Sequence, residues 1–66
     1  MRTAASAILL GLIALKNEEY PEAIIWLDSA INLFNGDADY YVNRGIARVK
    51  LRQYDQARKD FEIAEG

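Results

Sequence analysis

Three arginines, Arg44, Arg48 and Arg52, fall at i, i+4 and i+8, a spacing that aligns them along one side of a helix. Such a stripe suits recognition of carboxylates, because each guanidinium offers a planar fork of donors. Catalysis has far less to draw on. Ser6 and Ser29 are hydroxyls with no histidine in the chain to activate them, and there is no cysteine. Glu18, Glu19 and Glu22 cluster, but beside a helix start their expected work is to complement its partial positive charge. With no nucleophile–base pair, phosphate loop or metal-ligand spacing, no catalytic, cofactor-binding or metal residue is assigned. The chain is expected not to be an enzyme.

The elements that carry these residues are short and helical. Apolar positions recur with helical period throughout, and no stretch alternates like a strand. The first helix spans about Ala4 to Lys16, rich in the strong helix formers Ala and Leu. KNEEY interrupts it, and Pro21 follows where proline fits best, in the first turn of a new helix. The second helix is expected from Pro21 to Phe34, burying Ala23, Leu27, Ala30, Ile31 and Phe34 on one face. Asn35-Gly36 is expected to end it, glycine supplying the left-handed conformation that closes a helix. Asp37 is the expected N-cap of a third helix, Ala38 to Arg52, and Asp55 that of a fourth, ending near Glu65. Connections this short force neighbouring helices antiparallel.

A period of 34 residues runs through this layout. Gly11, Tyr20, Ala23 and Ala30 return as Gly45, Tyr54, Ala57 and Ala64, each 34 positions later with no gap. Small residues let two helices approach closely, so Gly11 with Ala23 and Gly45 with Ala57 are expected to form the close crossing in each hairpin. Leu10, Leu27 and Tyr20, then Tyr41, Phe61 and Tyr54, fill the space beside it. Tyr40, Tyr41 and Trp26 are read as packing residues.

Those residues resemble the tetratricopeptide repeat, whose 34-residue helix–turn–helix unit carries glycine, tyrosine, alanine, an aromatic or leucine, and alanine in that order. Gly11, Tyr20, Ala23, Leu27 and Ala30 match in a first unit placed at residues 4–37. Gly45, Tyr54, Ala57, Phe61 and Ala64 match in a second, residues 38–66, which stops short of full length. The fold expected is therefore all-α: four helices in two antiparallel hairpins, stacked as a short α-solenoid within one domain, residues 1–66. The chain departs from the family at the turn inside each hairpin, where Glu18 and Arg52 replace the usual glycine.

The resemblance implies a scaffold that binds a protein or peptide along the concave surface lined by the first helix of each unit. The implied lining is Ala5, Ile8, Leu9, Leu12, Leu15 and Lys16 in unit one. In unit two it is Asp39, Val42, Asn43, Ile46, Val49 and Lys50. Of the family's clamp for a terminal carboxylate only Asn43 is matched, so a receptor for chaperone tails is not expected.

The first helix carries large aliphatics on nearly every side: Ile8, Leu9, Leu10, Leu12, Ile13 and Leu15. A helix apolar all round must be buried all round, and two hairpins leave its outer face uncovered. Three readings stay open: self-association through this helix, with a dimer the expected state; an apolar groove for a partner's amphipathic helix, as in a small chaperone-like adaptor; or a fragment of a longer array. Domain swapping through the Arg52-Gln53-Tyr54 turn is a further route to a homo-oligomer, because that turn has neither glycine nor proline.

Charge and length bound the partners. The formal net charge of −2 gives no reason to expect nucleic acid. Residues 1–37 carry two basic against five acidic side chains, and residues 38–66 six against five. The arginine stripe is thus expected to be a solvated face, to pair within the chain with Asp37, Asp60 or Glu62, or to meet the acidic first unit of another copy. The apolar run from Ala4 to Leu15 is 12 residues, against about 20 needed to span a bilayer. It superficially reads as a secretory leader, yet it keeps register with the repeat. No membrane partner is expected, and the expected compartment is the cytoplasm.

Overall fold

A computed structural model describes residues 3–34 and 37–66. They form four helices, α1 (Ala4–Lys16), α2 (Tyr20–Leu33), α3 (Ala38–Lys50) and α4 (Tyr54–Glu65), in the all-α arrangement of stacked hairpins. α1 packs on α2 and α3 on α4, while α2 against α3 joins the two hairpins and α1 meets α3 only sparingly. The result is a slab of 33 × 27 × 13 Å.

The helix starts follow from their caps. The Thr3 hydroxyl accepts the Ser6 N–H at 3.1 Å, and the Asp37 carboxylate accepts the Asp39 N–H at 2.9 Å. Each satisfies one of the amide donors that a helix leaves unpaired at its first turn. α2 begins at Tyr20, one residue before the expected Pro21. α4 begins at Tyr54 behind Gln53, so Asp55 is not its cap. Asp55 stands in the first turn instead, 3.3 Å from Arg58 in an exposed ion pair. The expected closure of α2 by Asn35-Gly36 lies outside the described residues.

The two hairpin turns have one geometry. At the first, Glu18 N–H donates to Leu15 O and Glu19 N–H to Ala14 O; at the second, Arg52 N–H donates to Val49 O and Gln53 N–H to Arg48 O. These crossed bonds are the Schellman closure, which needs a left-handed residue just past the helix end. Glu18 (φ 61°) and Arg52 (φ 64°) supply it. The family's glycine is missing but its backbone is kept, with the strain a side chain suffers in that conformation. This closure also ends α3 at Lys50 rather than at Arg52.

The core lies along α2. Ala7, Ala30, Ile31 and Tyr40 form one buried cluster, and Ala14, Ala23, Leu27 and Ala47 another. Most are alanines, which explains how a chain this short closes at all: small side chains let helix axes approach until backbones supply much of the contact. Leu27, fully buried, is the main aliphatic filler, worth about 1.5–3 kcal/mol. Three packing expectations change. Each glycine faces a large residue rather than an alanine: a methyl group on Gly11 would stand 3.1 Å from Leu27 Cγ, and one on Gly45 2.5 Å from Phe61 Cε1. Leu10 and Tyr54 are exposed instead of filling the hairpins, and Phe34 leaves the buried face of α2.

Candidate interaction surface

Buried charge ties the hairpins together. Asp60, only 1% exposed, accepts from Arg44 Nη2 at 2.7 Å, from Arg44 Nε and from Arg48 Nη1 at 2.9 Å. The remaining arm of Arg44, Nη1, donates to Asp28 at 2.7 Å. Asp28 sits on α2, Arg44 on α3 and Asp60 on α4, so one guanidinium spans three helices and joins the hairpins. The Arg44 guanidinium also lies 5.4 Å from the centre of the Tyr41 ring, within cation–π range. Its hydrogen bonds to Asp60, ahead of those to Asp28, raise its pKa above the ordinary arginine value despite partial burial. A raised basic pKa means the stabilisation is complete below the unfolded-state value and lost only above it, beyond the neutral range.

That network settles where two of the three arginines go. Arg44 and Arg48 are committed within the chain to Asp60, as the intramolecular reading expects, with Asp28 as an additional partner that reading missed. Neither Asp37 nor Glu62 takes part among the described ion pairs. Arg52 is exposed at the turn, outside those pairs. The Nε of Arg48 is buried without a hydrogen-bond partner among the described residues, so the network is not fully satisfied.

The 34-residue register explains the network's origin. Arg44, Arg48 and Asp60 stand where unit one has Leu10, Ala14 and Trp26. At these positions one hairpin carries apolar groups and the other ions. Asp60 as a buried hub was legible only through that comparison, since an aspartate in place of a tryptophan needs cations close by.

The implied lining on α1 and α3 differs in exposure from residue to residue. Ala5, Leu9, Leu12 and Lys16 are exposed on α1, while Ile8 and Leu15 are half-buried; on α3, Val42 and Asn43 are half-buried and Asp39, Ile46, Val49 and Lys50 exposed. Four large aliphatics are exposed on α1, Leu9 at 58%, Ile13 49%, Leu12 41% and Leu10 39%, more than on any other helix, although Ile25 and Leu33 on α2 and Ile63 on α4 are exposed as well. Contact with water over this much aliphatic surface is costly at about 25 cal/mol per Å². α1 carries no charged side chain from Ala4 to Leu15 to offset it. On α3, Ile46 (40%) and Val49 (38%) are exposed as well.

Among the described residues no group of three His, Cys, Asp or Glu side chains could hold a metal ion, and no helix is long and apolar enough to cross a membrane.

Comparison with known proteins gives one informative relative. Over 54 residues, 82% of this chain, the sequence is 43% identical to the Small glutamine-rich tetratricopeptide repeat-containing protein 2 of Saccharomyces cerevisiae. The chain spans 16% of that protein's length. No family model and no solved structure matches.

Proposed function

The chain is a tetratricopeptide-repeat chain of two helical hairpins, and from that premise we propose that it is a non-enzymatic protein-interaction module that associates with itself through α1. The observation that carries the proposal is the exposure of Leu9, Leu10, Leu12 and Ile13 on α1, within a stretch that has no charge from Ala4 to Leu15. Repeat units of this kind each bury one face against a neighbour, and stacks generally need about three units to be stable. Two units leave a face of α1 without a neighbour, and a second copy supplies one. The working unit is a homodimer, with residues 4–37 and 38–66 as the two repeats. Amide hydrogen exchange across a series of protein concentrations tests the proposal. Exchange in α1 should slow as concentration rises, and exchange in α1 that is independent of concentration contradicts it.

A second reading is supported by the apolar stripe that Ile8, Leu12 and Leu15 share with Val42, Ile46 and Val49. There the chain is an adaptor that shelters one face of a partner's amphipathic helix, with Asn43 and Lys50 at the margin. In a further reading the chain is a fragment of a longer array, where a preceding unit would cover α1 as α2 covers α3. Exchange of hairpins is a further route to the dimer, supported by the left-handed Arg52 (φ 64°): continuing α3 into α4 would release the strain held there.

A further inference from the structure

α3 docks on α2 through three residues in particular. Tyr40 is buried with Ala30 and Ile31, Ala47 is buried with Ala23 and Leu27, and Arg44 is bonded to Asp28. Moved back by 34 positions, that docking face becomes Ser6, Leu10 and Ile13 on α1. All three are exposed, Leu10 at 39% and Ile13 at 49%. α1 therefore has two distinct apolar faces: the groove stripe of Ile8, Leu12 and Leu15, and this docking edge, with Leu9 close by.

The opposite end of the stack is of another character. The α2 residues that receive α3 include Leu27, Asp28 and Ile31, and their counterparts on α4 are Phe61, Glu62 and Glu65. Were copies to stack head to tail by repeating the internal docking, Glu62 would take the place of Asp28 and Leu10 that of Arg44. A carboxylate that finds an arginine inside the chain would then be pressed against a leucine, losing water without gaining a partner. Edge against edge has no such conflict, because neither side contributes a charge between Ala4 and Leu15.

Resting on the self-association reading above, we propose that two copies pair about a two-fold axis, docking edge to docking edge, with Ser6, Leu10 and Ile13 of each α1 meeting those of its partner. A small specific interface takes about 500 Å² from each partner, roughly one ninth of the 4448 Å² surface of this chain. The pairing is isologous, so it closes at two copies and does not propagate into a fibre. It also leaves the groove stripe of both copies open, so self-association and capture of a partner helix use different faces of α1.

The chain has no cysteine, so single substitutions report the geometry by crosslinking. A residue near a two-fold axis can form a disulfide with its own copy, which requires Cα atoms within about 7 Å. Ser6→Cys, Leu10→Cys, Ile13→Cys and Leu12→Cys would each be oxidised under mild conditions, alongside a mixture of Leu10→Cys with Glu62→Cys. The expected result is a covalent homodimer from at least one of the Ser6, Leu10 and Ile13 variants, and loss of that product for Leu12→Cys. Circular dichroism confirms that each exposed substitution leaves the helices formed. A covalent dimer from Leu12→Cys alone, from the mixture alone, or from none of these variants while the wild type sediments as a dimer, overturns edge-to-edge pairing and leaves self-association standing. A wild type that sediments as a monomer at every concentration overturns both.

Discussion

Arg44 and Asp60 meet through two arms of the guanidinium, Nη2 at 2.7 Å and Nε at 3.2 Å, in a place where unit one has Leu10 and Trp26. Buried ions of this kind rarely add stability over an apolar filling, yet removing one partner strands the others. Asp60→Ala should therefore cost about 3–5 kcal/mol, which for so small a domain approaches complete unfolding. Asp28→Ala, at a half-exposed acceptor, should cost at most about 1 kcal/mol. Urea denaturation of the two variants measures the difference; equal losses would mean that the Arg44 network is not organised around Asp60.

Copying unit one into unit two gives the complementary test. Arg44→Leu, Arg48→Ala and Asp60→Trp together replace the ion cluster with the residues found 34 positions earlier. The triple variant should lie within about 1 kcal/mol of the wild type or be more stable, and far more stable than Asp60→Ala alone. A triple variant as unstable as the single one would show that the two hairpins do not share a packing template.

Gly45 is held small by Phe61, whose ring would lie 2.5 Å from an added methyl group. Overpacking costs about 1–3 kcal/mol and the better helix propensity of alanine returns about 1, so Gly45→Ala should be destabilising by up to about 2. In a Phe61→Leu background, which reproduces the Leu27 of unit one, the same change should cost less or become stabilising. A thermal-denaturation double-mutant cycle reads this coupling; strict additivity would contradict the contact.

How much of this was legible beforehand differs from element to element. α1 was placed to the residue, because its alanines and leucines and the KNEEY break are local signals. The period of 34 gave the hairpins and the buried Ala23, Leu27 and Ala30. It did not give the shape of the turns, since sequence shows only that Glu18 and Arg52 are not glycine. Their left-handed backbone is imposed by the antiparallel packing of whole helices. Nor did periodicity tell glycine facing leucine from glycine facing alanine, because both lie on the same helical face and differ by one turn. Asp28 was missed as a partner of Arg44 because the contact joins different units. On α1, sequence named the apolar residues, and the structure shows which of them are exposed: Leu9, Leu10, Leu12 and Ile13.

Arg52 holds a φ of 64° without being glycine. Left-handed backbone costs a side chain about 1–2 kcal/mol, partly cancelled by the greater freedom of glycine when unfolded. Arg52→Gly should thus stabilise the closed hairpin by about 0.5–1 kcal/mol, seen as a rise in Tm at matched concentration. If the dimer also depended on exchanging hairpins, the same variant would weaken association; an unchanged association constant counts against exchange.

Because Arg44 and Arg48 are spent on Asp60, association through α1 should owe little to ion pairs. Raising sodium chloride from about 0.05 to 1 M shortens the screening length from roughly 14 to 3 Å. Association should nevertheless hold steady, and sulfate should strengthen it by excluding itself from apolar surface. Association that weakens steeply with chloride, measured by light scattering, would place the arginine stripe in the interface instead.

Sedimentation equilibrium over a wide concentration range, run on the wild type beside Leu10→Glu, bears most directly on the claim that a second polypeptide covers α1. The wild type should pass from the 7.5 kDa of one chain towards twice that mass as concentration rises, while Leu10→Glu remains at the mass of one chain. A wild type that stays at the single-chain mass throughout would contradict the account.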